Sequence, residues 1–174
     1  MVRKVTDPGA KQVAEDVRLA LQLRGQMHEI SVRQILKLAC WLTSNRAGKR
    51  NSCQNWSVGA MERRRSWPAG TDWPADHGLI HEHIVPRKWI ENSLYKLPLD
   101  PKIDEIKALL DLSEVCVVTE CEDRKFGSNK LKQGIPKGCT LPRDKWLRYE
   151  LAGVKRYLAT NDGSQSAHDE AVRG

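Results

Sequence analysis

The segment Leu79-Ile80-His81-Glu82-His83-Ile84-Val85-Pro86-Arg87-Lys88 holds the densest set of reactive groups in this chain. His81, Glu82 and His83 stand among aliphatic residues and stop at Pro86; with His77 they bring three of the chain's five His into one neighbourhood. Ionisable groups in an apolar strand are costly unless paired, metal-bound or functional. Imidazole, with an ordinary pKa of about 6.5, suits a general base near neutral pH. Carboxylate oxygens suit a hard cation such as Mg²⁺, which takes one or two of them and keeps several waters. Together these groups are what metal-dependent hydrolysis of a phosphodiester requires. A regular strand places His81 and His83 on one face and Glu82 on the other. Glu82 and His83 converge only if the strand twists or breaks near Pro86. Otherwise His81 and His83 pair, and a softer ion, Zn²⁺ or Mn²⁺, fits better.

These groups need elements to hold them. Asp7-Pro8 pairs an N-cap with Pro at the first helical position, and Val13, Val17 and Leu21 give a helical face that ends at Gly25. Ser31 and Gln34 have capping-box spacing, and Ile35, Leu38, Ala39 and Leu42 form the apolar face of a second helix. The polar, basic segment 44–54 is a loop suited to phosphate, and a short helix begins at Asn55 and runs into Arg63-Arg64-Arg65. Two Trp-Pro pairs with Gly70 and Gly78 make 67–78 a loop, in which His77 serves as a cap. The first strand is 79–85. Helices follow over 87–97 and after Asp100-Pro101, whose face is Ile103, Ile106, Leu109 and Leu110. Val115–Thr119 is the second strand; Thr119 and Glu122 then cap a helix over 120–127. A last helix spans about 143–152 and stops at Gly153. The expected fold class is α+β, mostly helical, around a small two-stranded core. It divides into a basic helical region 1–66, a catalytic region 67–157 and a flexible tail 158–174.

The 174 residues carry a net charge of +7, unevenly spread: residues 1–70 hold 13 Lys/Arg against 5 Asp/Glu, and residues 71–157 hold 15 against 14. A basic first half points to a polyanion. The apolar runs are shorter than a membrane span and no signal pattern opens the chain, so the expectation is a soluble, cytoplasmic protein without a membrane partner. The five Cys include no CxxC pair, which argues against a structural zinc site; Cys40 and Cys116 read as small core residues.

The order of strand with Glu-His, intervening segment, second strand and capped acidic helix resembles the HNH (ββα-metal) nuclease family. His81-Glu82-His83-Ile84-Val85-Pro86 matches its acid–His–Ile–x–Pro strand, and Val117-Val118-Thr119-Glu120-Cys121-Glu122-Asp123 its second strand and ligand helix. Trp56-Ser57 and Trp146-Leu147-Arg148-Tyr149 also look like flanks of nuclease-like proteins from phages and mobile elements. The resemblance implies His83 as the base, Glu82 as a metal ligand, and Asp123 or Glu122 at the third position. It makes Asn92 the middle Asn and implies a divalent cofactor, Mg²⁺ first. The chain departs from the family in having Glu where Asp is commoner and an acid where His or Asn is usual. It also lacks the Cys knuckles of some members.

The residues also admit structural readings. Glu122 suits the capping box, Asp123 the helix dipole and Asn92 a helix surface. His81 suits a supporting position beside the metal ligands. Arg63, Arg64 and Arg65 are candidate backbone contacts, as are Arg87, Lys88 and Arg124, which lie near the proposed catalytic groups. Trp67 and Trp73 are candidate base-stacking residues. The favoured expectation is a metal-dependent DNA endonuclease, with DNA preferred to RNA. The alternatives are a non-catalytic nucleic-acid-binding protein on a degenerate nuclease core, and a protein-interaction module.

Overall fold

The computed structural model describes residues 9–46, 53–68 and 78–158. The Asp7-Pro8 pair, most of the 44–54 loop, Trp73, His77 and the tail beyond Leu158 lie outside them.

Helix α1 (Ala10–Gln22) buries Val13, Ala14, Val17, Ala20 and Leu21, the face expected from four-residue spacing. Helix α2 (Glu29–Arg46) starts two residues before the expected Ser31, where the His28 ring Nδ1 accepts from the Ile30 N–H at 3.3 Å. Its buried stripe is Val32, Leu36, Ala39 and Cys40, while Leu38, expected inside, is 53% exposed. Two apolar stripes compete on this helix. The one that α1 and the later helix α4 can cover is the one that is buried.

Strand β1 (Trp56–Ser57) precedes helix α3 (Val58–Arg65), so the helix expected from Asn55 begins three residues later. Trp56 is held extended by pairing with Val117 on one side and Tyr157 on the other, and Ser57 becomes the N-cap, accepting from the Ala60 N–H at 3.0 Å. Strand β2 (Leu79–His83) leads through Pro86 into helix α4 (Arg87–Tyr95), then helix α5 (Ile103–Leu110), strand β3 (Val115–Thr119) and helix α6 (Glu120–Ser128). Helix α7 (Leu147–Leu151) is shorter than the expected 143–152 and ends before Gly153, whose φ of +64° suits glycine. Strand β4 (Arg156–Tyr157) closes the fold.

The fold is α+β, with about half of the described residues helical and a four-stranded mixed sheet ordered β2-β3-β1-β4. The sequence shows only β2 and β3 of these, because β1 and β4 are two residues each and too short to display alternation. β2 and β3 are antiparallel in unbroken register, from Leu79 opposite Thr119 to His83 opposite Val115. α6 leaves β3 directly and packs back on both strands. Val13, Val17, Leu36 and Cys40 share one core with Val85, Ile90, Leu94, Ile106 and Leu110, so the first two helices are built into the packing of α4 and α5. A second core, with Ile84, Cys116, Val118, Phe126 and Tyr149, lies between the sheet and α6–α7. A third, on the opposite side, gathers Trp56, Ala60, Leu79, Val115 and Val117. None of the described helices is long and apolar enough to cross a membrane.

Candidate active site

β2 is an edge strand, so a cleft beside it receives side chains from both faces. That cleft has a volume of about 640 Å³ and is lined by His81, Glu82 and His83, by Pro86, Arg87 and Lys88 at the start of α4, by Trp41 and Ser44 of α2, and by Val115, Lys132 and Gln133. The unbroken β2–β3 ladder answers the geometric question raised by the sequence. The strand is regular, with Glu82 on the α6–α7 side and His81 and His83 on the other.

Glu82 is held by a residue that the sequence presents only as a flank. Arg148 is 1% exposed, and its guanidinium donates to Glu82 Oε1 at 2.9 Å, to the Ile84 carbonyl at 3.2 Å, to the Leu131 carbonyl at 3.1 Å and to the His83 carbonyl. It stacks over Phe126, 4.4 Å from the ring centre, and the neighbouring Tyr149 hydroxyl donates to the Glu82 carbonyl at 3.2 Å. The planar fork of arginine suits this clamp, which ties α7 to the end of β2. Burial pushes the Glu82 carboxyl above its ordinary pKa; Arg148 pulls it back, and the nearby Asp123 adds to the rise. In sequence Arg148 looks like any cation on a short helix. Its place between Trp146 and Tyr149 is the only clue.

His83 has its Nε2 buried without a hydrogen-bond partner among the described residues. Burial, with Arg87 and Arg148 close by, pushes its pKa down to about 4, so the ring is neutral at pH 7. Asp123, in the first turn of α6, receives Lys132 Nζ on Oδ2 at 2.6 Å, while its Oδ1 is buried and unpartnered among the described residues. An unsatisfied buried polar atom costs about 1–3 kcal/mol, which asks for a ligand, a water or an ion.

Glu122 is engaged elsewhere. Its Oε2 accepts from the Thr119 N–H at 2.8 Å, the Thr119 hydroxyl at 3.0 Å and the Ser57 hydroxyl at 2.6 Å. A Cβ at Gly59 would stand 3.0 Å from its other oxygen, so Gly59 leaves room for the carboxylate. The capping box accounts for the Thr119 bonds, and Ser57 adds a third donor to the same oxygen. Asn92 is also away from the cleft, its Oδ1 accepting from Arg33 at 3.2 Å where α2 meets α4.

Of the candidate phosphate contacts, Arg87 and Lys88 line the cleft, Arg87 also pairing with Glu91 at 3.0 Å. Arg63, Arg64 and Arg65 lie on α3 and do not line it. Arg63 packs over Gly78, Arg64 over the Trp67 ring, and Arg65 reaches the Tyr157 hydroxyl at 3.1 Å. Arg124 is on the exposed side of α6, 3.8 Å from Glu120. Trp67 packs with the third core. The sequence did not single out Lys132 or Trp41, both of which line the cleft.

Among the described residues, no group of three or more His, Cys, Asp or Glu side chains is gathered as a metal site. Among the described residues a softer ion on His81 and His83 thus finds no third ligand. The demand of Mg²⁺ is smaller, one or two carboxylates and water. Glu82 and Asp123, mutually close and with an unpartnered oxygen on Asp123, fit that donor set.

No protein-family model matches the chain, and neither a curated protein nor a solved structure matches it.

Proposed function

We propose that the protein is a divalent-metal-dependent nuclease of the HNH type that hydrolyses phosphodiester bonds in DNA. The observation that carries this reading is a pair of buried atoms without a partner among the described residues: Nε2 of His83 on one face of β2, and Oδ1 of Asp123 near Glu82 on the other. The spatial unit of β2, β3 and α6, with α6 packed back on the antiparallel strand pair, supports it. So does the cationic lining from Arg87, Lys88 and Lys132.

Glu82 and Asp123 would hold the cation, Mg²⁺ in the first instance, which when bound supplies charge stabilisation to the phosphoryl and leaving oxygens. Because Glu82 and His83 lie on opposite faces of β2, the attacking water would stand at the strand's open edge, where the cleft meets both, and His83, neutral at pH 7, would accept its proton at Nε2. A phosphate drawn in beside it opposes the cations that depress its pKa and makes it a stronger base. Arg87, Lys88 and Lys132 take the substrate phosphates. Arg148 fixes Glu82 and the backbone of His83 in place and touches no substrate. His83→Ala should lower the rate of plasmid cleavage with Mg²⁺ by about 10²–10⁴-fold, the range for a general base. Cleavage at the parent rate would overturn the reading.

One observation favours a second reading. Glu82 and Asp123 each already face a cation, Arg148 and Lys132. On that footing the chain binds nucleic acid on a nuclease-like core without cutting it. It would then show salt-dependent DNA binding, indifferent to EDTA, and no cleavage.

A further inference from the structure

Resting on the nucleic-acid reading of the cleft, we infer that Trp41 makes it a site for unpaired nucleotides, the indole stacking on a base while the cations of the same cleft hold the phosphate. Of the five described Trp residues, Trp56, Trp67, Trp89 and Trp146 are buried or half-buried, and Trp41 alone is exposed, at 47%. It follows the buried Ala39 and Cys40 on α2 and stands at the exposed rim of that helix. The rim there belongs to the cleft that also holds His81, His83, Arg87, Lys88 and Lys132. The Ser44 hydroxyl, one turn on, donates to the Trp41 carbonyl at 2.8 Å and secures the end of this turn.

An aromatic face next to a row of cations is the arrangement that binds single strands. The cations follow the backbone, and every base offers a π-face to stack. A duplex cannot use such a platform, because its base faces are covered by their neighbours and only the edges show in the grooves. The inferred substrate class is therefore single-stranded DNA, or a duplex with an unpaired or extruded nucleotide at the point of attack.

The test is fluorescence anisotropy in EDTA at low salt. It uses a labelled 12-nucleotide single strand and the duplex of the same length, with the parent protein, Trp41→Ala and Trp41→Phe. Trp41→Ala should weaken single-strand binding by about 5- to 150-fold, the worth of one stacked base, and leave duplex binding unchanged. Trp41→Phe should keep most of the affinity but lose much of the tryptophan quenching that the single strand causes in the parent. The quenching comparison decides the matter even if Trp41→Ala fails to fold. Single-strand binding by folded Trp41→Ala within twofold of the parent, equal losses on strand and duplex, or undiminished quenching in Trp41→Phe would each overturn the inference. The two readings fail separately. If the parent binds neither oligonucleotide, the nucleic-acid reading falls and this inference with it. If His83→Ala cuts DNA as fast as the parent while Trp41→Ala loses the single strand, only the hydrolytic reading falls.

Discussion

Arg148 shows how much one buried side chain decides. Its four hydrogen bonds join α7, the Leu131 carbonyl and the last residues of β2. A buried ion pair contributes little relative to well-packed apolar residues, but removing one partner strands the other. Arg148→Ala should destabilise the protein by about 3–5 kcal/mol, because Glu82 and three carbonyls lose their partner together. The Glu82→Gln/Arg148→Met pair should recover part of that loss, since no charge is left unpaired. Urea melts of Glu82→Gln, of Arg148→Met and of the double form the cycle that checks this. Equal stability of Arg148→Ala and the parent would show that the clamp has no energetic weight.

At the scale of elements, the joint between α3 and α6 is a shared cap. Glu122 closes the box on Thr119 and also receives the Ser57 hydroxyl, whose oxygen caps α3. One carboxylate thus orders the start of two helices and sets where α6 begins relative to β2. Asp123 follows it by one residue, so its position beside Glu82 depends on that joint. Glu122→Ala should cost about 1–3 kcal/mol, more than an ordinary cap, as three donors lose their acceptor. Thermal melts of Glu122→Ala and of Asp123→Ala separate the roles: the first should fall in Tm by several degrees. The second should stay near the parent, because it removes an orphaned oxygen along with a half-exposed ion pair.

For the whole molecule, the first two helices form part of the main core. α1 and α2 cover Ile90, Leu94, Ile106 and Leu110 of α4 and α5, and α2 also brings Trp41 to the cleft. A chain begun at residue 53 would expose that face, losing more apolar burial than a domain of marginal stability tolerates. It should show no cooperative thermal transition and should bind the apolar dye ANS. A sharp transition in the shortened chain would mean that the second part folds alone. The basic excess of the first 70 residues does not gather at the cleft within the described structure. Arg64 and Arg65 lie against Trp67 and Tyr157, and the cleft's cations come from α4 and the segment after α6.

Several local signals were legible, though the Ser31 box and the helix start at Asn55 were displaced by two and three residues. The spacing of Val13, Val17 and Leu21, the run Val115–Thr119 and the Thr119–Glu122 box each appear where the residues imply, because helical period, β-branched runs and caps act over a few neighbours. The sequence by itself also located the His81-Glu82-His83 strand and stated its fork, since strand alternation is a property of the backbone. Only the tertiary structure decided between the branches: pairing with β3 holds β2 regular, so Glu82 turns toward Arg148 and Asp123, and His83 toward the opposite face of the sheet. Which stripe of α2 is buried, why Glu122 is occupied, and how Trp41 and Lys132 reach the cleft depend on contacts between residues far apart in the chain. Such contacts are set by which surfaces can cover one another, and no local pattern records them.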